Sequence, residues 1–225
     1  MIQLDERLSA AAELAGECAV FYDVGSNHGF LGAHLLQSGA CRRAVLCDIS
    51  DDALNRARET VEKEGLQDRT QLVVADGLRG LFPTAQDAVA VCGMGARTVM
   101  HIVERALPCP LVAQANVETP LLRRHLERIG MHVVQEMPVR AAGRFYLVLR
   151  AEPGQGERPM SEYEAYIGPA LLRDRPAGTE DYLVWRLGVE TRALEGLRTG
   201  RDAARLREAE QRVAFVRRAI EEGKK

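Results

Sequence analysis

Apolar residues fall along this chain in two rhythms. Near-continuous apolar runs occupy residues 19–24, 44–47, 70–74, 88–92 and 111–113. Segments with apolar positions three or four apart lie between most of them, at 29–37, 51–64 and 97–106, and another follows the last run at 119–129. A short unbroken apolar strand is buried on both faces, so its alternation with amphipathic helices predicts a parallel sheet covered on both sides. Ahead of the first run, Leu4, Leu8, Ala11, Ala12 and Ala15 stand at helical spacing, and Gly16 stops that leading helix. Two further strands are expected at 131–135 and 145–149; the nine residues between them are too few for a helical crossover, which predicts an antiparallel hairpin.

Seven strands ending in such a hairpin is the Rossmann-like arrangement of class I methyltransferases, and ordinary dinucleotide-binding folds do not usually end this way. A Pro/Gly-rich stretch then breaks the composition, so residues 1–152 read as a sheet domain, 153–160 as a linker and 161–225 as an all-helical domain. Ser161 and Glu164 have capping-box spacing and predict one helix from about Glu162 towards Arg173. A second carries Leu183, Leu187, Leu194 and Leu197. A third carries Leu206, Ala209, Val213, Val216 and Ile220 in the three-four alternation of a coiled-coil seam. Thr199-Gly200-Arg201-Asp202 can turn between them, which predicts an antiparallel coiled-coil hairpin, closed within a monomer or shared in a homodimer.

The bulk numbers narrow the classes. No apolar run approaches the roughly 20 residues that a bilayer requires, and the amphipathic, charged start does not read as a secretory signal, so the expectation is a cytoplasmic protein without a membrane partner. Five scattered cysteines without a C-x-x-C pair argue against a disulfide framework or a zinc site, and no metal is expected. A net charge of −2 gives no global attraction to nucleic acid, so RNA binding would need a local basic surface.

Candidate chemistry begins at Asp23-Val24-Gly25-Ser26-Asn27-His28-Gly29, where a strand ends on an acid and turns through two glycines into a helix. Such a turn leaves helix N-terminal amides free and lets a small polar ligand approach the backbone. The spacing is not the Gly-x-Gly-x-x-Gly of a pyrophosphate site, which favours S-adenosylmethionine over NAD. Asp48 and Asp76-Gly77 follow the next two strands. In a parallel sheet such strand ends converge on one ligand: Asp23 for the amino-acid end, Asp48 for the ribose hydroxyls, Ile49 for an adenine face, Asp76 for the exocyclic amine. After the fourth strand comes Gly93-Met94-Gly95. After the fifth, Gln114-Ala115-Asn116 offers two carboxamides that either read a base edge or cap the next helix. His28 faces the same turn, while His34, His101, His125 and His132 have no metal spacing and read as structural. The tail arginines, Arg198, Arg201 and Arg205 among them, can grip phosphates, although 14 basic and 13 acidic residues from Glu157 onwards describe mostly solvated helix faces.

With these residues laid out, the sequence resembles the bacterial TrmK family, tRNA adenine-N1 methyltransferases acting at tRNA position 22. The likeness rests on Glu6-Arg7-Leu8, the Gly25-Ser26-Asn27-His28 turn, Asp48, Asp76-Gly77, Gly93-Met94-Gly95, Gln114-Ala115-Asn116, Gly143-Arg144-Phe145-Tyr146 and the helical tail. It implies that Arg7, Asp23, Gly25, Asn27, His28, Asp48, Ile49, Asp76, Gly77, Gly93 and Met94 surround S-adenosylmethionine. Asn27, His28 and the backbone at Met94 become the candidates for holding the target amine, with tRNA as partner. Asn27, Ala96, Ala115 and Leu147 depart from the family's usual aspartate, glycine, proline and glutamate. A small-molecule methyltransferase and a non-catalytic cofactor- or RNA-binding relative are the alternative readings.

Overall fold

A computed structural model describes residues 1–198 and 202–224. Five parallel strands, β1 (Cys18–Val24), β2 (Cys41–Asp48), β3 (Thr70–Val74), β4 (Ala88–Met94) and β5 (Leu111–Ala115), are extended by β6 (Met131–Ala141) and β7 (Arg144–Pro153) into one seven-stranded sheet. Its order is β3-β2-β1-β4-β5-β7-β6, with β7 antiparallel to both β5 and β6. The order reverses between β1 and β4, and the carboxyl ends of those strands open the crevice where ligands bind in doubly wound sheets.

Helices α1 (Glu6–Ala15), α2 (Phe30–Ser38) and α3 (Asp51–Lys63) cover one face, where Leu14, Phe21, Leu36 and Leu46 share a core. On the other face, α4 (Ala96–Ile102) and α5 (Thr119–Arg128), the latter through Leu122 and Leu126, pack over Val89, Val91 and Leu111. Asp5 caps α1 by accepting the Leu8 amide at 2.7 Å, and Gly16 ends it at φ 64°. α4 stops at Ile102, before the expected residue 106, because Val103 leaves helical geometry at φ −111° and ψ 68°.

The closing hairpin is longer than the apolar runs predict. Residues 136–144, expected as a connection, are almost wholly strand, and the turn is just Ala142-Gly143. Both turn residues have positive φ, 47° and 75°, as a primed two-residue turn requires. An alanine at that position carries no sequence signal for it.

The tail holds a second difference. The single helix expected from Glu162 to Arg173 is two, α6 (Glu162–Ile167) and α7 (Pro169–Asp174), broken at Gly168. Gly168 sits at φ 132°, and a side chain there would run into the Glu136 carboxylate. Arg123 and Glu136, both buried, pair at 2.7 Å beneath this break. Arg123 donates to the carbonyls of Ala165, Tyr166 and Ile167 at the end of α6, and Glu136 accepts the amides of Ala170 and Leu171 at the start of α7. The cation thus meets a helix C-terminus and the anion a helix N-terminus, the favourable sense for both dipoles.

Helices α8 (Thr179–Leu197) and α9 (Ala203–Glu222) follow, packed antiparallel. Near their base, Leu183, Val216 and Ala219 join Leu147 of β7, Tyr163 and Leu171 in one apolar cluster. Near their far end, Leu194, Leu197, Leu206, Ala209 and Val213 form a second cluster, which Leu187 joins to the first. The expected turn at 199–201 lies outside the described residues. Asp202 caps α9 by accepting from Ala204 and Arg205. No helix among the described residues is long and apolar enough to cross a membrane, and they contain no cluster of potential metal ligands.

Candidate cofactor and substrate site

At the carboxyl end of β1 the chain doubles back. The amides of Gly25 and Ser26 both donate to the Cys47 carbonyl, at 2.8 and 3.1 Å, and the Gly29 amide donates to the Ser26 carbonyl at 2.8 Å. Left-handed backbone at Gly25, Asn27 and Gly29 (φ 74°, 49° and 68°) makes this possible. Asparagine is among the few non-glycine residues that tolerate such a φ, which is a local reason for its presence at position 27. The Met94 side chain lies directly over Gly25, where any Cβ would collide with it. Helix α2 starts after Gly29 without a side-chain cap, so its first amides face the turn.

Asp23 is buried beneath this turn. Burial pushes its carboxyl up to about 7, against a hydrogen bond from the Gly32 backbone, and nearby Asp48 pushes it further in the same direction. The Ser26 hydroxyl is buried with no hydrogen-bond partner. A turn with an orphaned hydroxyl, a carboxyl denied its counter-charge, two glycines and free helix N-terminal amides has the hydrogen-bonding groups for a ligand bearing an ammonium and a carboxylate. S-adenosylmethionine has both.

The neighbouring strand ends supply the rest. Asp48 closes β2, and its carbonyl accepts the Ala75 amide at 2.9 Å. Ile49 is 70% exposed beside it, an apolar surface left open at the crevice. Asp76 pairs with Arg79 at 2.9 Å. Gly77, at φ 64°, lets that loop lie against Ile102, where a Cβ would approach to 3.1 Å. A cleft of about 350 Å³ continues past Asp76 between Leu78, Phe82 and the end of α4. Cys92, next to Gly93, is a neutral thiol, held up at about 12 by burial and by Asp23. All five cysteines are free.

Gln114 and Asn116 turn inward to bind the chain itself. Gln114, fully buried, accepts Arg7 at 3.0 Å and the Gly93 amide at 3.1 Å through its carboxamide oxygen, and donates to Asn116 Oδ1 at 3.0 Å. The Asn116 side chain donates to the Gly93 carbonyl and its backbone amide to the Met94 carbonyl, both at 2.8 Å. Gln114 therefore has no free edge for a base, and the carbonyls flanking the Gly93–Met94 peptide are already engaged. Arg7 spans from α1 to this network, with its guanidinium over the Tyr146 ring at 5.8 Å and Nη1 2.9 Å from where a Gly93 side chain would begin.

Arg7, Asp23, Gly25, Asn27, His28, Asp48, Ile49, Asp76, Gly77, Gly93 and Met94 thus all come to the carboxyl ends of β1 to β4 or their adjoining loops. Arg198 and Arg205 do not; they are exposed beside the far end of α8 and α9, and Arg201 lies outside the described residues. His34 and His125 each donate a ring N–H to a backbone carbonyl, of Ile2 at 2.9 Å and of Val103 at 2.6 Å, as structural residues do. Three residues at or beside the site escaped notice in the sequence. Ser26 stood within the turn motif as an unremarked hydroxyl. Phe30 stacks on exposed His28 with ring centroids 5.1 Å apart. Tyr146 was visible only as part of a short motif.

The strand order, with glycines and acids gathered at one crevice, is that of the Rossmann-like fold of class I methyltransferases. Comparison with known proteins resolves the class further: the family model for TrmK, tRNA (adenine(22)-N(1))-methyltransferase, matches residues 21–221, and the chain belongs to that family. It is 26% identical over 185 residues to the tRNA (adenine(22)-N(1))-methyltransferase of Bacillus subtilis, covering 78% of each chain. The crystal structure of the B. subtilis enzyme superposes with a TM-score of 0.84 at 24% identity, over 98% of this chain and all of the other. A putative tRNA (m1A22) methyltransferase of Streptococcus pneumoniae, solved in complex with S-adenosyl-L-methionine, superposes with a TM-score of 0.82 at 23% identity, over 97% of this chain and all of the other.

Proposed function

We propose that this chain methylates N1 of adenine 22 in tRNA, using S-adenosylmethionine bound at the β1–β4 crevice. The observation that carries this reading is the extent of the family match, which takes in both the sheet and the helical tail rather than the cofactor fold alone. When bound, the cofactor supplies an electrophilic methyl group. Asp23 and the Ser26 hydroxyl hold its amino-acid end, Gly25, Gly77 and Gly93 give it room, Asp48 accepts the ribose hydroxyls, and Ile49 and Asp76 receive the adenine.

Adenine N1 is nucleophilic as a neutral lone pair, so the chain needs no strong base to start the reaction. Its work is to align the base, exclude water and accept the exocyclic amine while positive charge builds on the ring. Asn27 and His28, exposed at the mouth, are the acceptors; the Gly93 and Met94 carbonyls are less available because Asn116 holds both. The base must leave its stack to reach the crevice. Gln114, Asn116 and Arg7 position the Gly93–Met94 loop. We read α8 and α9 as a coiled-coil unit that touches tRNA, within a cytoplasmic enzyme. Several of its arginines are committed internally, Arg186 and Arg212 to Glu190, Arg205 to Asp202 and Arg218 to Glu222, which leaves Arg192, Arg198, Arg207 and Arg217 as the better candidates there.

The test is to incubate purified protein with methyl-labelled cofactor and unmodified tRNA, digest, and identify the labelled nucleoside. Label in 1-methyladenosine, lost when the transcript carries guanine at position 22, is the expected result. Tight cofactor binding with no label in any tRNA would instead favour a non-catalytic relative.

A further inference from the structure

The β6–β7 hairpin does not stop where its neighbour in the sheet stops. Gln114, one residue from the end of β5, pairs with Val148, and Val148 pairs with Met137. Ala115, which ends β5, is level with Leu147 and Pro138, so the four residues beyond on each side, 139–142 and 143–146, run past the edge of the sheet. At about 3.4 Å per residue the ribbon projects about 14 Å. Because β6 is parallel to β5, the tip emerges on the side of the sheet that carries the crevice.

The ribbon is braced from both sides. On one face Met137 and Val139 pack into the core formed with α1, and Tyr146 lies under Arg7. On the other, Phe145 meets Tyr182 and Trp185 of α8, with ring centroids 6.0 and 5.5 Å away. Near the tip it carries two exposed arginines. Arg144 lies on the face of Tyr146 and Arg7, one side-chain repeat further out, about 7 Å. Arg140 lies on the α8 face, opposite Phe145 in the register, with its guanidinium over that ring at 6.0 Å. A guanidinium parked on an aromatic face keeps its N–H edges directed outward. Neither arginine has an ion-pair partner among the described residues, in contrast to Arg186, Arg205, Arg212 and Arg218 of the tail.

We propose that this ribbon is a docking arm for the RNA sugar-phosphate backbone, with Arg144 and Arg140 holding phosphates next to the crevice. The inference rests on the tRNA reading above and adds the surface that seats the RNA beside the reactive pocket. Its chemistry is set by what is displayed: two unneutralised, bidentate donors on a stiff strand pair match phosphate oxygens, and a chain of net charge −2 attracts RNA only through such local sites.

The test is a salt titration of tRNA affinity, measured on the full-length chain for wild type, Arg140→Gln/Arg144→Gln and Arg140→Lys/Arg144→Lys. Each phosphate contact contributes roughly 0.7–0.9 to the slope of log affinity against log salt. The glutamine pair is expected to bind unmodified tRNA more weakly, with a slope shallower by about 1.4–1.8. The lysine pair should keep the wild-type slope, and cofactor affinity and melting temperature should be unchanged in both. Glutamine variants that titrate like wild type would overturn the arm, provided the wild type methylates tRNA. Wild type that neither binds nor methylates tRNA would overturn the functional reading itself.

Discussion

Replacing Asp23 with asparagine should make the ligand-free protein more stable and the enzyme worse. The carboxyl ionises near 3.8 in an unfolded chain and at about 7 in the folded one, because burial penalises the charged form. Between those values the folded state holds a proton that the unfolded state has lost, so stability falls as pH rises and levels off above pH 7. At 1.36 kcal/mol for each pH unit across that interval, the penalty reaches about 2 kcal/mol at pH 5.5 and about 4 kcal/mol at pH 8.5. Asparagine has nearly the same shape, can still accept the Gly32 amide, and carries no charge to desolvate. Urea unfolding of both proteins without cofactor should show Asp23→Asn more stable by about those amounts at those two pH values. Cofactor affinity should move the other way, weaker by roughly ten- to a hundredfold, the worth of one charge-assisted hydrogen bond. Binding to wild type at pH 6 should also release a proton, seen as a buffer-dependent heat in calorimetry that is missing from the variant. A stability difference independent of pH, or a less stable variant at pH 8.5, would refute this account of Asp23.

Three further substitutions probe other parts of the molecule. Gly25→Ala places a methyl group against Met94 in left-handed backbone; it should cost on the order of 1–3 kcal/mol in a melt and abolish measurable cofactor binding by calorimetry. Glu136→Gln leaves the Arg123 charge buried without its partner and should cost about 3–5 kcal/mol in chemical denaturation, whereas Arg123→Met/Glu136→Met should recover part of that loss. Asn27→Asp keeps a residue that tolerates left-handed backbone and adds a negative charge for the cofactor's ammonium, so cofactor affinity should tighten; weaker binding would mean that the site is built around asparagine.

The sheet was legible because its signal is redundant. Each parallel strand is an apolar run that needs no partner to be recognised, and the strand-end acids Asp23, Asp48 and Asp76 follow directly from where those runs stop. The hairpin was found but drawn short, since beyond residue 135 one of its faces is covered by the helical tail and carries polar residues there, Glu136 buried against Arg123. Glu136 and Arg140 in that stretch carry the polar character of a loop. The break at Gly168 was missed for a related reason. Nothing local announces that Arg123 and Glu136, remote in sequence, are buried together beneath residue 168, where they need the space that a side chain would take. Gln114 and Asn116 were recognised as polar residues at a strand end. Their orientation towards Gly93 and Arg7 depends on which loops lie next to them, and one residue's chemistry does not contain that.

The buried Arg123–Glu136 pair also decides how the tail can move. Five backbone groups from two helices converge on one ion pair that water does not reach, so α6 and α7 cannot slide over the sheet without stranding a charge in a dry interior. The Pro/Gly-rich stretch ahead of them is then slack rather than a pivot, because the mechanical connection bypasses it. The distance from the crevice to the base of the tail is thereby a fixed gauge, set by the ion pair and not by the length of the connecting stretch.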